Sequence, residues 1–364
     1  MEKLLTIVVP TYKEAANLPT LAEAVERALA SSGIQYELLV VDDNSPDNTR
    51  AVCEELAGRF PLRLLQPQGR EKDLSLSVVD GIRAAEHDNI LVMDADMSHP
   101  PSQIPTMFDT LRDHPADFVV GSRYVKGGSF DRDWSLWRFL NSYIATLLSR
   151  PLVKCSDPMS GFFLFNRSRL GDLDALRPMG YKIGLELMVR GNFSAVREVP
   201  IAFKDREVGT SKMDLGQQVK YLRHLRRLYM YRYGSFAEFV HFGAVGASGF
   251  IVDVTFYYLF QLFGLDHYIA RALSFWPAAS WNWAMNRRGT FGERQRRPRT
   301  RQWAEFLAAS AVGFIINYGV YYTLSTWVGF FEEFRIFALM AGVAIGSMFN
   351  FTMSTLFVYS EKRQ

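Results

Sequence analysis

The sequence predicts an α/β domain with a mainly parallel sheet, followed by an all-α membrane domain of four helices. Three observations carry that expectation. Short β-rich runs alternate with helical patterns through the first part of the chain. Acidic residues gather where those runs end. Beyond residue 233 the chain turns apolar and aromatic, with charge confined to short loops. The expected domains are therefore a soluble unit over 1–233 and a membrane unit over 234–364. The near-zero mean hydropathy averages these two unlike halves.

The net charge of +3 says little, because the basic residues are clustered. Cys53 and Cys155 are the only cysteines and have no Cys-x-x-Cys spacing, which argues against a zinc site or a disulfide framework. Met1-Glu2-Lys3 leads directly into the first apolar run, unlike a signal peptide, so the soluble unit is expected in the cytoplasm. No internal repeat is evident. The one biased segment, an Arg-rich loop between two apolar stretches, is placed wrongly for a nucleic-acid role.

Taken in order, the strands are expected at Leu4–Val9, Glu37–Val41, Leu62–Leu65 and Ile90–Met93, with helices near Asn17–Ala30, Asp47–Phe60 and Leu74–Ala85. In such sheets ligands bind at the carboxyl edge of the strands, so the strand ends are where chemistry is sought. The first strand ends in Pro10-Thr11-Tyr12-Lys13-Glu14, the second in Asp42-Asp43-Asn44-Ser45-Pro46-Asp47-Asn48-Thr49. Acids and a tyrosine on adjacent strand ends could hold a base and a ribose. Asp47 reads as a helix or turn cap.

The fourth strand breaks into Asp94-Ala95-Asp96-Met97-Ser98-His99-Pro100-Pro101. Two carboxylates turned toward one point repel unless a cation lies between them, and hard oxygen donors suit Mg²⁺ or Mn²⁺. The plainer alternative is a pair of loop acids capping the next helix.

Further on, Arg123, Arg138, Arg206 and Lys212 lie at or near element ends. Guanidinium groups match phosphate oxygens with paired hydrogen bonds. Arg138 taken alone reads as a solvated charge. Arg206 and Lys212 sit in Arg-x-x-Gly-x-Ser-Lys, where Gly209 allows close backbone approach.

Together the three strand ends resemble the inverting family 2 glycosyltransferases, which have a nucleotide-diphospho-sugar transferase (GT-A, Rossmann-like) fold. The resemblance narrows downstream. Val120-Gly121-Ser122-Arg123-Tyr124-Val125-Lys126-Gly127-Gly128, Asp157-Pro158-Met159-Ser160-Gly161-Phe162-Phe163 and Arg206-Glu207-Val208-Gly209-Thr210-Ser211-Lys212 are similar to the dolichyl/polyprenyl-phosphate mannose synthases. It covers essentially all of residues 4–230. What it implies is transfer of mannose from GDP-mannose to a dolichyl or other polyprenyl phosphate, with Mg²⁺ or Mn²⁺.

Carried over residue by residue, the resemblance assigns Pro10, Tyr12, Glu14, Asp42, Asp43, Asp94 and Lys212 to the nucleotide-sugar. Asp94, Asp96 and Arg206 would be catalytic. Asp94, Asp96 and Ser98 would lie at the metal, with Ser98 where some relatives have a glutamine. Arg123, Arg138, Arg206 and Lys212 would hold the lipid phosphate. His99 reads as a loop hydrogen-bonder rather than a ligand. Asp73 departs from the pattern, which usually has glycine there.

Two amphipathic helices are expected near 135–150 and 214–233, lying in the headgroup layer beside the membrane unit. Four stretches are long enough to span a bilayer: about 236–263, 268–286, 303–328 and 334–359. Arg287, Arg288, Arg294, Arg296, Arg297, Arg299 and Arg301 crowd the second link, and Lys362 and Arg363 follow the last span. The other links hold no Lys or Arg, so both termini are expected on the cytoplasmic side.

Glu238, Asp253, Arg271, Asn282, Asn317 and Asn350 interrupt the spans. With Gly243, Gly246, Gly249, Gly342 and Gly346, the asparagines read as interhelical glue, and Asp253 is left open. The membrane half is similar to small proteins paired with such transferases and proposed to help flip lipid-linked sugars; an anchor is the first reading. Alternatives for the whole chain are a UDP-glucose-dependent polyprenyl-phosphate glucosyltransferase, or a lipid flippase with a nucleotide-sugar-sensing domain. A processive polysaccharide synthase is disfavoured, since no Gln-x-x-Arg-Trp segment follows.

Overall fold

The structure is a computed structural model that describes residues 2–130, 136–177, 182–203, 215–294 and 297–360; of residues 130, 136–142, 215, 268 and 271 it describes the backbone alone. The chain divides into two units, Met1–Arg232 and Tyr233–Gln364.

The first unit begins as strand–helix alternation: β1 (Leu4–Thr11), α1 (Leu18–Leu29), β2 (Gln35–Asp42), α2 (Thr49–Ala57), β3 (Leu62–Leu65), α3 (Leu74–Ala84) and β4 (Asn89–Val92). It continues with α4 (Ile104–Asp113), β5 (Phe118–Ser122), β6 (Ser129–Phe130), α5 (Leu136–Ser149), β7 (Phe163–Asn166), α6 (Ile183–Arg190), β8 (Val196–Pro200), β9 (Ala202–Phe203) and α7 (Leu215–Tyr233). β1, β2 and β4 are almost wholly buried, because both sheet faces are covered by helices, so they read as continuous apolar runs.

Seven strands form one sheet in the order β3-β2-β1-β4-β7-β5-β8, and β6 pairs with β9 apart from it. All pairs in the large sheet are parallel except those of β7, which runs antiparallel to both β4 and β5. The sheet is therefore mainly parallel, as the alternation predicts.

Two apolar cores flank it, one built on α1, α4 and Phe162, the other on α3, α6 and the phenylalanines of β7. Gly81 lets α3 lie against the sheet: a Cβ there would collide with Val8 and come within 3.1 Å of Val41. Cys53 and Cys155 are both buried and unpaired.

α5 and α7 correct one expectation in part. α7 is docked on its own unit, with Leu225 and Leu228 buried in the second core. Tyr221 donates to the Ala145 carbonyl at 2.8 Å and Tyr229 to the Leu148 carbonyl at 2.7 Å. The commoner use of an amphipathic helix, packing on a core, therefore takes one face. Tyr143, Ile144, Leu147, Val219 and Leu222 remain exposed.

The second unit holds α8 (Ser235–Leu262), α9 (His267–Arg288), α10 (Arg299–Trp327), the short α11 (Gly329–Glu333) and α12 (Arg335–Met353), the last running on as a π-helical turn, Ser354–Val358. Among the described residues three helices are long and apolar enough to cross a membrane: α8, α10, and α12 with its extension. α9 is a full-length helix but more polar than the sequence pattern suggested. Its Ser274, Asn286, Arg287 and Arg288 dilute the apolar run.

A repeat that composition hides is plain in this unit. α8 pairs with α9 and α10 with α12, as two hairpins. Gly249-Phe250-Ile251-Val252-Asp253 and Tyr257-Tyr258 in α8 answer to Gly313-Phe314-Ile315-Ile316-Asn317 and Tyr321-Tyr322 in α10. Trp281-Asn282-Trp283 in α9 answers to Phe349-Asn350-Phe351 in α12. The contacts repeat too: a Cβ on Gly249 would strike the Asn282 carboxamide, and one on Gly313 the Asn350 carboxamide. The asparagines thus sit where the helices approach most closely, as interhelical glue should.

Candidate active site

From β1 the chain winds outward through β2 to β3, then crosses back to place β4 on the other side of β1. That reversal is the topological switch point, where the carboxyl ends of neighbouring strands open a crevice. Thr11 is opposite Asp42, and Val8 opposite Val92, so the loops after β2, β1 and β4 emerge side by side. Among the described residues, the non-glycine residues in the left-handed region are Lys13 (φ 64°), Asn44 (φ 53°) and Met97 (φ 61°). One lies on each of the three loops. Such backbone costs of order 1–3 kcal/mol where it occurs, and it persists where surrounding contacts hold it.

The two adjacent acids after β2 have different duties. Asp42 is fully buried and receives hydrogen bonds from the Ser45 N–H at 3.0 Å, the Ser45 hydroxyl at 2.5 Å and Gln66 Nε2 at 2.9 Å. Its oxygens shape the loop. Asp43 instead pairs with Arg70 at 3.0 Å, and Arg70 also reaches Asp80 at 2.7 Å.

Lys72 donates to the Asn44 carbonyl at 2.9 Å and stands 4.6 Å from the centre of the Tyr12 ring, which is 48% exposed. The departure at Asp73 has a local cause. Its carboxylate caps α3, accepting from Ser75 N at 2.8 Å and Leu76 N at 3.4 Å. The cap anchors the segment that carries Arg70 and Lys72 over the first two strand ends.

Pro10 is buried in β1, paired in register with Val41. Glu14 accepts from Asn17 Nδ2 at 2.6 Å and starts the turn into α1. Asp47 accepts from the Thr49 N–H at 3.2 Å and the Thr49 hydroxyl at 2.6 Å, a turn cap.

After β4, the Asp96 carboxylate accepts the Ser98 N–H at 3.1 Å, which folds the strand end into a tight loop. Ser98 contributes that backbone donor, and its residue is buried. The Asp94 N–H donates to His99 Nδ1 at 3.0 Å, so the proton of the neutral ring lies on Nε2. His99 is buried and stacks on Phe162 with ring centres 5.3 Å apart. Burial pushes it below the ordinary histidine range, against the pull of Asp94 and Asp96. It is a strut.

The Asp94 side chain is 32% exposed. Facing it is Gly161, whose missing Cβ would lie 3.5 Å from Asp94 Oδ2 and 3.2 Å from the His99 ring. Among the described residues no three His, Cys, Asp or Glu side chains converge on one point. Asp94, partly exposed, and Asp96, buried two residues on, are hard oxygen donors of the kind that suit a divalent ion completing its shell with water and substrate phosphate, as Mg²⁺ does.

The far wall comes from the second half of the sheet. Arg123 Nε and Nη2 each lie 2.7 Å from the Asp157 carboxylate, and the Arg123 N–H reaches it at 3.1 Å. Asp157 is fully buried. Its own N–H and that of Ser156 donate to Glu198 at 3.2 and 3.0 Å. Two prongs of the Arg123 fork are therefore engaged with Asp157. The side of the guanidinium also lies over Tyr124 and Phe203, 5.2 Å from each ring centre.

Lys182, absent from the sequence reading, shares the surroundings of Arg123, Asp157 and Asp94, and donates to the Met159 carbonyl at 3.0 Å. Burial and then the Arg123 charge push it down to about 8. A lone lysine between two elements gives no sequence signal. Arg206 and Lys212 lie outside the described residues, and Arg138 lies in α5 with its side chain outside them.

Residues 6–173 match the family model described as glycosyl transferase family 2, and residues 241–359 match the GtrA/DPMS transmembrane domain. A dolichol-phosphate mannosyltransferase of Pyrococcus furiosus is 35% identical over 88% of this chain and 90% of its own length. Those of Mycosarcoma maydis and Saccharomyces cerevisiae are 36% and 34% identical over 63% of this chain, covering 80% and 88% of their own. Among solved structures, a glucosyl-3-phosphoglycerate synthase of Mycobacterium tuberculosis has a TM-score of 0.46 at 18% identity, over 64% of this chain and 80% of that one.

The fold and the paired strand-end acids thus define a glycosyltransferase with a GT-A type domain. Within that class, the chain belongs to the dolichol-phosphate mannosyltransferases of glycosyl transferase family 2, with a GtrA/DPMS membrane domain.

Proposed function

We propose that this enzyme transfers mannose from GDP-mannose to the phosphate of a dolichol or related polyprenol, with Mg²⁺ or Mn²⁺, and inverts the anomeric centre. The observation that carries the reading is the Asp94–Asp96 strand end facing the Arg123–Asp157–Lys182 group across the gap at Gly161. Acids for a diphosphate-bound cation stand on one side, cations for an anionic acceptor on the other.

Asp94 and Asp96 would hold the ion, which when bound neutralises the departing diphosphate. Ser98 keeps Asp96 in place through its N–H. Tyr12, Glu14 and Asp43 frame the nucleoside side, with Arg70 and Lys72 laid over it. The acceptor needs no general base: a phosphate monoester has its second pKa near 6, so its attacking oxygen is already anionic at neutral pH. The residues' task is to hold that oxygen in line behind the anomeric carbon. Lys182, Arg138, Arg206 and Lys212 supply charge for this, and Arg123 positions the wall. Single displacement turns an α-linked donor into a β-linked product.

The exposed apolar face of α5 and α7 supports seating of the catalytic unit in the headgroup layer, where a lipid phosphate protrudes. The Arg-rich link supports cytoplasmic termini and a four-span membrane unit, with α9 as its most polar span. The test offers labelled GDP-mannose or UDP-glucose with a polyprenyl phosphate, with and without chelator. Mannose label in the organic phase that vanishes on chelation is expected. Glucose label alone, or metal-independent transfer, would refute the reading.

A further inference from the structure

Behind the wall that carries Lys182 lies a buried carboxylate that the transfer reading leaves without a task. Glu186, one turn along α6 from Lys182, is fully buried. Its Oε1 accepts the Arg177 N–H at 3.0 Å and lies 3.0 Å from Arg190 Nε. Its Oε2 lies 3.3 Å from Nε2 of His224, a residue of α7 that is buried in turn. Burial works against ionisation here, but His224, the Arg177 N–H and Arg190 outweigh it and hold the carboxyl below its ordinary range.

α7 returns the tie. Arg227 Nη1 donates to the Arg177 carbonyl at 2.9 Å, so Arg177 is held by its N–H from α6 and by its carbonyl from α7. The Arg190 guanidinium lies 4.3 Å from the centre of the Tyr231 ring, a further contact between the two helices. Lys182 thus has a fixed point on either side of it in the chain, Arg177 before and Glu186 after, and its ammonium reaches the Met159 carbonyl at 3.0 Å. A buried ion cluster adds little net stability, because desolvation offsets much of the attraction. Its effect here is on register: α6 cannot turn or slide on α7 without breaking the Glu186–His224 contact.

We infer that Glu186 and His224 are positioning residues for the transfer, which lock α6 to α7 and thereby fix Lys182 in the acceptor wall. The inference rests on the transfer reading and adds to it two residues that touch neither substrate.

The test measures kcat and the KM of each substrate for the full chain in nanodiscs. The variants are Glu186→Gln, His224→Gln, Lys182→Met, and each of the first two combined with Lys182→Met. Glu186→Gln and His224→Gln should each raise acceptor KM about ten-fold and leave donor KM in place. The rise should be the same for a short, water-soluble prenyl phosphate and a long one, since the exposed face of α7 is untouched. In the Lys182→Met background neither should raise it further, because residues that act through one group are not additive. Should Glu186→Gln fail to fold, His224→Gln and its combination carry the same test. Val79→Ala, buried in the same core but on α3, controls for lost stability. Full additivity, an unchanged acceptor KM in the single variants, or a matching rise in Val79→Ala would each overturn the inference. Lys182→Met with a normal acceptor KM would overturn it too, with transfer itself intact. Absence of mannose transfer by the unaltered chain would instead count against the transfer reading.

Discussion

Gly161 stands against the Asp94 carboxylate: a methyl group at its α-carbon would sit 3.5 Å from Asp94 Oδ2 and 3.2 Å from His99. The bare α-carbon keeps the wall beside Asp94 clear by the room of a single methyl group. Gly161→Val should lower turnover by at least about a hundred-fold, since misplacement near 1 Å is that costly. The melting temperature should move by no more than a few degrees. Steady-state kinetics beside thermal denaturation check both halves of the expectation.

Asp96→Ala removes a carboxylate whose partner, Asp94, remains. Transfer should fall below detection, and added Mn²⁺ should not restore it. Chelation of the unaltered enzyme should give the same loss, reversed by Mn²⁺ or Mg²⁺. A chelated enzyme that keeps its rate would contradict the assignment of these acids.

Arg123→Ala leaves Asp157 buried and uncompensated, at a cost of about 3–5 kcal/mol. Replacing both with apolar residues of similar volume should restore most of that stability and none of the activity. Arg123→Lys keeps the charge but loses the two-pronged geometry, so it should fall between. Urea unfolding in detergent, run on all three variants, separates the outcomes.

Lys182 offers a pH signature. With its pKa brought down to about 8, chiefly by burial and then by Arg123, its ammonium is present below that pH and lost above it. The acceptor phosphate keeps both charges over this range. KM for the acceptor should therefore rise as pH climbs through about 8, and Lys182→Arg should flatten the rise.

Stability should respond with the opposite sign. A folded pKa below the ordinary 10.5 means the unfolded chain binds the extra proton between those values. The wild-type protein should gain stability from pH 8 upward relative to Lys182→Met. Melting curves across that window decide it.

Val219→Glu with Leu222→Glu alters side chains exposed on α7 while Leu225 and Leu228 stay in the core. Melting should barely change. Transfer to long-chain prenyl phosphate should drop by about ten-fold or more, while a short, water-soluble acceptor is used as before. Equal losses with both acceptors would remove the headgroup-layer role.

The first four strands and three helices were legible because each is buried or amphipathic at its own period, and the reading placed the strand ends within a residue or two. Which of two neighbouring acids faces the crevice was not. Asp42 and Asp43 look alike in sequence, and only the loop held by Asn44 in a left-handed turn assigns one to structure and one to Arg70. Lys182 and Gly161 were invisible as partners of Asp94 because the sheet, not the chain, brings them together.

The repeat is a different failure. Gly-Phe-Ile-Val-Asp and Gly-Phe-Ile-Ile-Asn stand openly in the sequence, but membrane composition makes all spans look alike. The matching contacts at Asn282 and Asn350 are what make the two hairpins recognisable as a repeat.

The antiparallel β7 imposes an order of assembly on the nascent chain. β5 finds its partners in β7 and β8, both made after it, so until Phe163–Asn166 leaves the ribosome β4 presents a bare edge and β5 has no place in the sheet. At ordinary rates of synthesis that interval is on the order of seconds. Throughout it, the two acids after β4 face water with no opposite wall. The donor side can be shaped first, and the catalyst exists only once a late strand has run backward into the middle of an early sheet.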